Sequence, residues 1–334
     1  MAKALSIAAT EQVMPSVLGS LSDLAKYIAQ TDDLTYFNIS SSGPDANYGT
    51  LYYCTSGNLS DNNGITAYHA TIVTEVFNYL ENITGINFEY TSNPYLSDID
   101  FTNYDDGAYA ETWDTDTVPN GYTDYAVVNV STSWGNGSAG LYNGYVYQTF
   151  IHEILHALSL GHLGPYNGVG DYEDAYFVND SWLNSIMSYI PNSGNPNISA
   201  DIDFAFLQTI MAADILALDY LYGSQNSNGS EFGSEYCFRT DTVYGFNTNI
   251  TYAMDPILSY LSVYGSTNAY CIVDGGGVDT FDFSGWNFDQ VIDLRVSELS
   301  SFFPTASNIG GLRGNLTLAV GTVIEKARSG GGDD

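Results

Sequence analysis

Three of the four histidines in this chain lie within eleven residues, at a spacing that a helix followed by a turn explains. His152 and His156 are four residues apart, which puts both imidazoles on one face of a helix. Glu153 follows the first histidine, and His162 lies just past Gly161, where the helix can end. Neutral imidazoles suit Zn²⁺, and a neighbouring carboxylate can serve as a general base. The pattern therefore predicts a zinc site with three histidine ligands and Glu153 as its base.

A His-Glu-x-x-His match also arises by chance, so the surrounding residues decide how much it means. The opposite face of the predicted helix is strongly apolar, as expected for a helix that packs against a core. Its apolar residues are Phe150, Ile151, Ile154, Leu155 and Leu158. This stripe and the third histidine favour a metal site over coincidence. The fourth histidine, His69, stands alone on another predicted helix, where we expect a structural or merely exposed role.

Hydrophobic periodicity predicts a mixture of helices and strands over the first two thirds of the chain. The predicted helices cover residues 13–28, 147–160 and 204–221, and Ile72, Val73, Val76, Phe77 and Leu80 mark another, which carries His69 and ends near Gly85. The predicted strands cover residues 34–39, 50–55, 86–90, 99–101 and 125–130. Because these elements do not alternate strictly as βαβ units, the pattern favours an α+β fold.

A polar stretch between Gly223 and Gly233 indicates a domain boundary. Beyond it, strand-and-turn patterns replace helical ones, with predicted strands at residues 242–246, 279–283, 291–294 and 316–320. We therefore expect three parts. Residues 1–33 form an N-terminal helix or a short propeptide, residues 34–223 form the zinc-binding domain, and residues 224–334 form an all-β domain. Residues 330–334 are typical of the opening of a glycine and aspartate calcium repeat.

The charge balance of the chain excludes some classes of partner. There are 39 acidic and only 7 basic residues, which gives a formal net charge of −32. So few cations cannot neutralise a run of phosphates, and the negative excess is repelled by anionic lipid. We expect neither nucleic-acid binding nor membrane-surface binding. The same charge attracts divalent cations, which makes calcium a candidate, and it suits a protein in salty or extracellular water.

Neither the chain start nor the cysteines fix a compartment. No stretch approaches the roughly 18 consecutive apolar residues of a membrane span. The first residues carry one cation and a broken apolar run before Glu11, which is a poor match to a signal peptide. The three cysteines, Cys54, Cys237 and Cys271, are far apart in sequence, so at most one pair could bridge.

The zinc pattern is part of a longer motif. The stretch His152-Glu-Ile-Leu-His156-Ala-Leu-Ser-Leu-Gly-His162 resembles the zinc motif of the metzincin metallopeptidases, and Ser185-Ile-Met-Ser-Tyr189 resembles their Met-turn. Among metzincins the chain is most similar to the serralysins, which are secreted bacterial zinc endopeptidases. The similarity runs from about residue 18 to the end, with further matching stretches at residues 149–153, 162–167, 241–247, 279–285, 310–315 and 324–325.

The resemblance implies a metzincin-like α+β zinc protease domain followed by an all-β calcium-binding domain of β-roll or sandwich type, whose repeats are truncated here. It implies Zn²⁺ ligation by the three clustered histidines, with Glu153 as the base. Met187 would form a hydrophobic floor under the metal. Tyr189 would ligate zinc at rest and stabilise the oxyanion in the transition state, since a phenol is a hydrogen-bond donor.

In the second domain the resemblance implies Ca²⁺ held by carboxylate and carbonyl oxygens on turns that glycine allows. The matching residues are Asp241, Asp274, Gly276, Gly277, Asp279 and Glu325.

The chain departs from the family pattern around the third histidine. The family has glycine three residues after the second histidine, where this chain has Ser159, and usually proline directly after the third, where it has Leu163. A non-glycine residue with a left-handed backbone costs on the order of 1 kcal/mol, which is bearable. Alternatively, Gly161 shifts the turn.

Two functions from different classes are consistent with these patterns. The leading hypothesis is a secreted, extracellular and monomeric zinc endopeptidase that acts on protein or peptide substrates. The alternative is a non-catalytic, calcium-stabilised adhesion or binding module that retains the zinc scaffold. Glu153 separates the two, because a catalytically dead relative has no need of the base. A structural surface protein would leave the zinc pattern unexplained.

Overall fold

A computed structural model of the chain describes residues 14–30, 35–57, 61, 64–116, 121–134, 144–223 and 233–333. The helices within these ranges are α1 (Leu21–Gln30), α2 (Ala67–Thr84), α3 (Tyr145–Ala157), α4 (Ala212–Tyr222) and α5 (Leu261–Tyr264). The strands within them are β1 (Thr50–Cys54), β2 (Asn87–Tyr90), β3 (Ile99–Thr102), β4 (Ala108–Trp113), β5 (Tyr125–Val130), β6 (Phe206–Leu207), β7 (Val243–Gly245), β8 (Asn268–Ile272), β9 (Thr280–Asp282), β10 (Ala306–Ile309), β11 (Leu312–Leu318) and β12 (Lys326–Arg328). Helices and strands are mixed, so the α+β expectation for the first two thirds is confirmed.

The first sheet positions the histidine-bearing helix. Its strand order is β2-β1-β3-β5-β4, and all neighbours are parallel except β4, which runs antiparallel to β5 at the outer edge. The run Ala126–Val130 of β5 is buried throughout, as expected for a strand covered on both faces. Helix α3 packs against β4, β5 and α2. The edge strand therefore lies beside the helix that carries His152 and Glu153.

Several elements match the predictions closely. Strands β1, β2, β3 and β5 confirm the predicted strands at 50–55, 86–90, 99–101 and 125–130. Helix α2 begins where the Thr66 side chain accepts a hydrogen bond from the His69 backbone N–H at 3.2 Å. It ends at Gly85, whose φ of +73° is a left-handed cap. His69 is fully buried against the Phe150 ring, so its role is structural and the exposed alternative is wrong.

The first helix begins later than predicted. Helix α1 starts at Leu21, whereas residues 14–20 are not helical and Val17 forms only an isolated bridge. Ser20 and Asp23 cap each other: the Ser20 N–H and hydroxyl donate to Asp23, and the Asp23 N–H donates to the serine Oγ. This capping box sets the helix start. The remainder of the predicted N-terminal segment, residues 1–13 and 31–33, lies outside the described residues.

Two other predicted boundaries are wrong. Within 35–39, only Tyr36 forms an isolated bridge, and residue 34 lies outside the described ranges. The helix predicted from 204 begins at Ala212, because 206–207 form strand β6 instead. A short apolar run is compatible with a buried strand or a buried helix, and here pairing with β8 decides.

The C-terminal part contains two sheets and a short helix. One sheet has the order β10-β11-β8-β6 and the other β12-β9-β7. Strands β7, β9 and β11 confirm three predicted strands, but at 291–294 only Val291 forms an isolated bridge. The expectation of an all-β region is wrong in one respect, because a 3₁₀ turn at Leu258–Tyr260 leads into α5. The sequence pattern missed β4, β8, β10 and β12.

The predicted boundary at 223/224 stays a prediction, since residues 224–232 lie outside the described ranges. Strand β6 pairs with β8, so one sheet joins the parts before and after it. All three cysteines are buried and free, so the pair that the sequence allowed does not form. No helix among the described residues is long and apolar enough to span a membrane.

Candidate functional site

Helix α3 carries two histidines and a carboxylate to the edge of a cleft. His152, Glu153 and His156 all lie on this helix, whose other face is buried under the first sheet. The His152 Nδ1 bonds to the Ile186 carbonyl at 2.9 Å, and the His156 Nδ1 bonds to the Leu160 carbonyl at 2.7 Å. Since a carbonyl only accepts, both Nδ1 atoms carry the proton. The lone pairs of both rings are therefore on Nε2.

The helix end turns the chain back so that His162 joins the pair. The Leu160 N–H donates to Leu155 O at 2.9 Å and the Ser159 N–H donates to His156 O at 2.8 Å, the pattern of a Schellman motif. Ser159 has a φ of +68°, so it takes the left-handed conformation itself and Gly161 does not shift the turn. Its hydroxyl donates to the Thr35 carbonyl, which helps to hold this backbone.

The three imidazoles converge as metal ligands do. The His156 Nε2 lies 3.1 Å from the His152 Nε2 and 2.9 Å from the His162 Nε2. Two nitrogens bound tetrahedrally to one zinc ion are about 3.3 Å apart. Among the described residues, these histidines are the only group of three ligating side chains whose donor atoms lie within 4.8 Å of one another. Three lone pairs that point at one spot repel unless a cation lies between them, so this donor set fits zinc.

Burial keeps the histidines neutral. It lowers the pKa of His152 to about 4 and that of His162 to about 3. For His156, burial and then the two neighbouring imidazoles lower the pKa well below its usual value. Neutral imidazole is the form that binds a metal ion. Burial also raises the pKa of Glu153 to about 8, because only 7% of its surface is exposed.

The predicted Met-turn is hydrogen-bonded to His152 and to Leu163, the residue after His162. Met187 is fully buried, and its carbonyl accepts a hydrogen bond from the Leu163 N–H at 3.2 Å. Tyr189 is half-buried, with its ring 4.6 Å from the His162 ring. Its phenol oxygen accepts a hydrogen bond from the Gly168 N–H at 3.2 Å. The structure thus brings Tyr189 to the histidines, while its roles as ligand and oxyanion donor stay predictions.

His152 and Glu153 open onto a cleft of about 460 Å³. Gly107 and Ala108, at the start of edge strand β4, line one side of it. Aromatic side chains, including Trp134 and Tyr145, line other parts. A cleft of this size with a few convergent polar groups is typical of a binding site.

The predicted calcium residues also come together. Asp279 donates its N–H to Glu325 at 2.6 Å and accepts from the Thr242 N–H at 2.7 Å, while Asp241 accepts from the Val278 N–H at 3.1 Å. Burial raises the pKa of Asp274 to about 7. One oxygen of Asp279, Oδ2, is buried without a hydrogen-bond partner. An orphaned carboxylate oxygen beside other carboxylates fits a hard cation.

Glycine forms the bend in that cluster. Gly276 and Gly277 have φ values of +142° and +146°, a region that residues with a side chain rarely adopt. A Cβ at Gly277 would also lie 2.7 Å from the Thr240 backbone.

Comparisons with known proteins point to one family. Residues 235–334 match the family described as Peptidase M10 serralysin C terminal. Serralysin C of Dickeya chrysanthemi is 38% identical over 192 residues, which cover 56% of this chain and 35% of that protein. Metalloprotease AprA of Pseudomonas entomophila (strain L48) is 35% identical over 210 residues, which cover 61% of this chain and 38% of that protein. Over these stretches the chain is similar to serralysins.

The match to these serralysins is partial in length. The chain spans about a third of the length of the curated relatives that it matches. A serralysin of Photorhabdus sp. (strain Az29) is 34% identical over 197 residues, again 36% of that protein. These relatives are named as serralysins and a metalloprotease, and the described residues of this chain include a His triad that could hold a metal ion.

Sequence reasoning missed a buried carboxylate that holds the serralysin-like Met-turn. Asp214 of α4 is fully buried, and it accepts hydrogen bonds from the Ser185 hydroxyl at 2.5 Å and from the Ile186 N–H at 2.8 Å. The backbone carbonyl of the same residue, Ile186, accepts a hydrogen bond from His152. Asp214 is therefore linked to a histidine through the backbone of one residue. A lone acid within the apolar run Ala212–Leu218 was the signal available in the sequence.

A second missed carboxylate holds the other end of the Met-turn. Asp180 is fully buried and accepts hydrogen bonds from the Ser188 hydroxyl at 2.5 Å and from the Tyr166 phenol at 3.1 Å. The Tyr166 oxygen in turn accepts from the Tyr189 N–H at 3.1 Å, and the two rings stack at 4.6 Å. Nothing in the local sequence pattern distinguished Asp180 from an ordinary loop acid.

Proposed function

We propose that this chain is a secreted zinc-dependent endopeptidase that hydrolyses peptide bonds in protein or peptide substrates. One observation carries the proposal. The Nε2 atom of His156 lies 3.1 Å from that of His152 and 2.9 Å from that of His162, next to a buried carboxylate, Glu153, that lines an open cleft. Metal ligands, a base and space for a substrate are thus in one place. Similarity to serralysins supports the same activity.

His152, His156 and His162 would hold the zinc ion. When bound, zinc polarises a carbonyl oxygen and lowers the pKa of water. Glu153 would take a proton from the attacking water and deliver it to the leaving amine. Its pKa is raised by burial, so the carboxylate is a good proton acceptor. The positive charge of a bound metal ion would favour its ionised form.

Tyr189 and strand β4 would position and stabilise the substrate. The Tyr189 phenol lines the cleft and, while its oxygen accepts from the Gly168 N–H, would donate its own proton in a hydrogen bond to the carbonyl oxygen as negative charge develops there. Strand β4 is the outer strand of its sheet, and its start lines the cleft. An extended peptide can pair with such an edge through backbone hydrogen bonds.

We further propose that calcium stabilises the C-terminal part. Asp241, Asp274, Asp279 and Glu325 would supply carboxylate oxygens, and the bend at Gly276 would bring backbone carbonyls within reach. The buried, unpartnered Oδ2 of Asp279 is the observation that supports this site.

Metal analysis combined with a protease assay tests the proposed activity. We expect about one zinc ion per chain after expression with ample zinc. Casein hydrolysis should be lost on chelation and restored by added zinc. Zinc binding without any hydrolysis would instead favour the non-catalytic binding module, and absence of zinc would contradict the metalloenzyme proposal.

A further inference from the structure

The half of the chain that builds the cleft contains no lysine or arginine. Residues 27–238 hold 26 aspartate and glutamate residues and none of the 7 basic residues of the chain. The cleft itself is lined entirely from within this range. Three of the basic residues elsewhere are engaged by the chain's own carboxylates, in the pairs Arg295–Asp293, Arg313–Asp203 and Arg328–Asp282. The residues that line the cleft therefore include no lysine or arginine to offset the negative field that a substrate enters.

Exposed acidic residues are neighbours in sequence of the residues that line both sides of the cleft. On one side, Asp105 and Asp106 immediately precede Gly107, which lines the cleft, and Glu111 follows on β4. On the other side, Asp171 and Glu173 follow the lining residues 168–170. All five carboxylate residues are exposed. A cleft with rims of one charge sign raises the local concentration of oppositely charged ligands.

The cleft wall also offers aromatic faces to a cation. The Trp134 and Tyr145 rings lie nearly parallel, with centroids 5.6 Å apart. They are 38% and 49% exposed, so neither ring is buried under other side chains. Ammonium and guanidinium groups bind favourably over tryptophan and tyrosine rings. Charge and aromatic lining therefore favour the same class of substrate residue.

We propose that the cleft selects peptides with lysine or arginine residues near the scissile bond and disfavours acidic peptides. This inference rests on the proposed peptidase activity and names its substrate class. The rims attract the substrate during encounter, and the aromatic wall retains its cationic side chain. An acidic surface that served only solubility would give a preference that depends on net charge alone and not on carboxylates near the cleft.

The test compares three fluorogenic peptides that share one cleavable core and carry flanking lysines, glutamines or glutamates. The zinc-loaded full chain should cleave the lysine peptide with a kcat/KM about tenfold or more above that of the glutamate peptide at low ionic strength. The ratio should fall towards one at about 0.5 M salt, because exposed charges are then screened. Equal kcat/KM values for all three peptides at low salt would overturn the proposal.

Two variants test whether the rim carboxylates cause the preference for the lysine peptide. Asp106→Asn/Glu111→Gln/Glu173→Gln removes three rim charges and should reduce the lysine-to-glutamate ratio several-fold. Asp201→Asn/Glu298→Gln/Asp333→Asn removes three exposed charges from residues that do not line the cleft, and it should leave the ratio unchanged. Equal effects of the two variants would show that net charge alone is responsible, which contradicts selection by the cleft.

A binding measurement separates this inference from the proposed function. Should no peptide be cleaved, including the glutamine peptide, the proposed activity fails. Fluorescence anisotropy of labelled lysine and glutamate peptides on the zinc-loaded Glu153→Gln variant still reports the preference of the cleft. Tighter binding of the lysine peptide supports the inference, and equal binding overturns it.

Discussion

Neighbouring residues fix the ring and the backbone of Tyr189 but leave its hydroxyl proton unused. Its ring stacks on Tyr166 at 4.6 Å, its backbone N–H donates to the Tyr166 phenol, and its own phenol oxygen accepts from the Gly168 N–H. The hydroxyl proton is not used in that last bond, so it is available to a substrate oxygen in the cleft. The packing fixes the ring, while the hydroxyl can be removed without disturbing it.

We therefore expect Tyr189→Phe to lower kcat more than it changes KM. A lost oxyanion donor costs roughly 10²–10³-fold in well-ordered sites, and we expect the lower part of this range or less because zinc carries part of the charge. Zinc content should be unchanged, since three histidines remain. Steady-state kinetics on a neutral peptide checks this, and an unaltered kcat would leave Tyr189 with a packing role only.

Some site residues could be predicted from the sequence because their chemistry is local. The spacing of His152 and His156 on one helix needs no tertiary information, and Ser159 was expected to tolerate the left-handed turn that the structure shows. Asp214 and Asp180 could not be assigned, because their partners lie 28 and 8 residues away in the chain. Only the fold brings such partners together.

Among the helices and strands, a prediction was wrong where one stretch of sequence is compatible with both a helix and a strand. The run at 204–207 is apolar throughout, and pairing with β8, which lies some 60 residues later, makes part of it a strand. Strand β4 was missed because its outer face is exposed and its burial does not alternate strongly. Helices α2 and α3 were predicted well because their apolar stripes extend over several turns.

The start of α4 and the Met-turn form one unit through Asp214, which also accepts a hydrogen bond from the Met211 N–H at 2.8 Å. We expect Asp214→Asn to destabilise the fold by about 2–3 kcal/mol, because a buried amide cannot accept from all these donors. It should also weaken zinc binding about 10–100-fold, as changes behind a ligating histidine do. Asp219→Asn is the matched control on the same helix, since Asp219 binds Ser234 instead. Unchanged zinc affinity in Asp214→Asn would contradict the link to His152.

Helix α2 contains a buried acid that makes stability depend on pH. Glu75 is 2% exposed, Tyr252 donates a hydrogen bond to one of its oxygens, and the other oxygen has no partner. Burial raises the pKa of Glu75 to about 7. The Glu75 carboxyl therefore binds its proton more tightly in the folded protein than in the unfolded chain. The stability that this protonation contributes is lost as pH rises through about 7.

Glu75→Gln should remove this dependence. The Tm of the variant minus that of the wild type should be higher at about pH 8.5 than at about pH 5, by roughly 2–4 °C. Differential scanning fluorimetry of both proteins at the two pH values measures this difference. The same Tm offset at both pH values would show that folding does not raise the pKa of Glu75.

At the scale of the whole molecule, negative charge is concentrated where cations are proposed to bind. Burial raises the pKa of Asp279, and the neighbouring charges of Glu325 and Asp241 raise it further. Clustered carboxylates repel one another unless a cation separates them. Calcium removal should therefore lower the Tm, and added calcium should restore it while magnesium does not. A calcium-independent melting curve would rule out a stabilising calcium site.

The central claim is that a histidine-held zinc ion and Glu153 act together on peptide bonds. Glu153→Gln tests it most directly when zinc content and hydrolysis are measured on the same preparation. We predict about one zinc ion per chain in both proteins and a loss of at least about 10²-fold in kcat/KM in the variant, since a general base contributes typically 10²–10⁴-fold. Full activity in a zinc-loaded Glu153→Gln protein would contradict the claim.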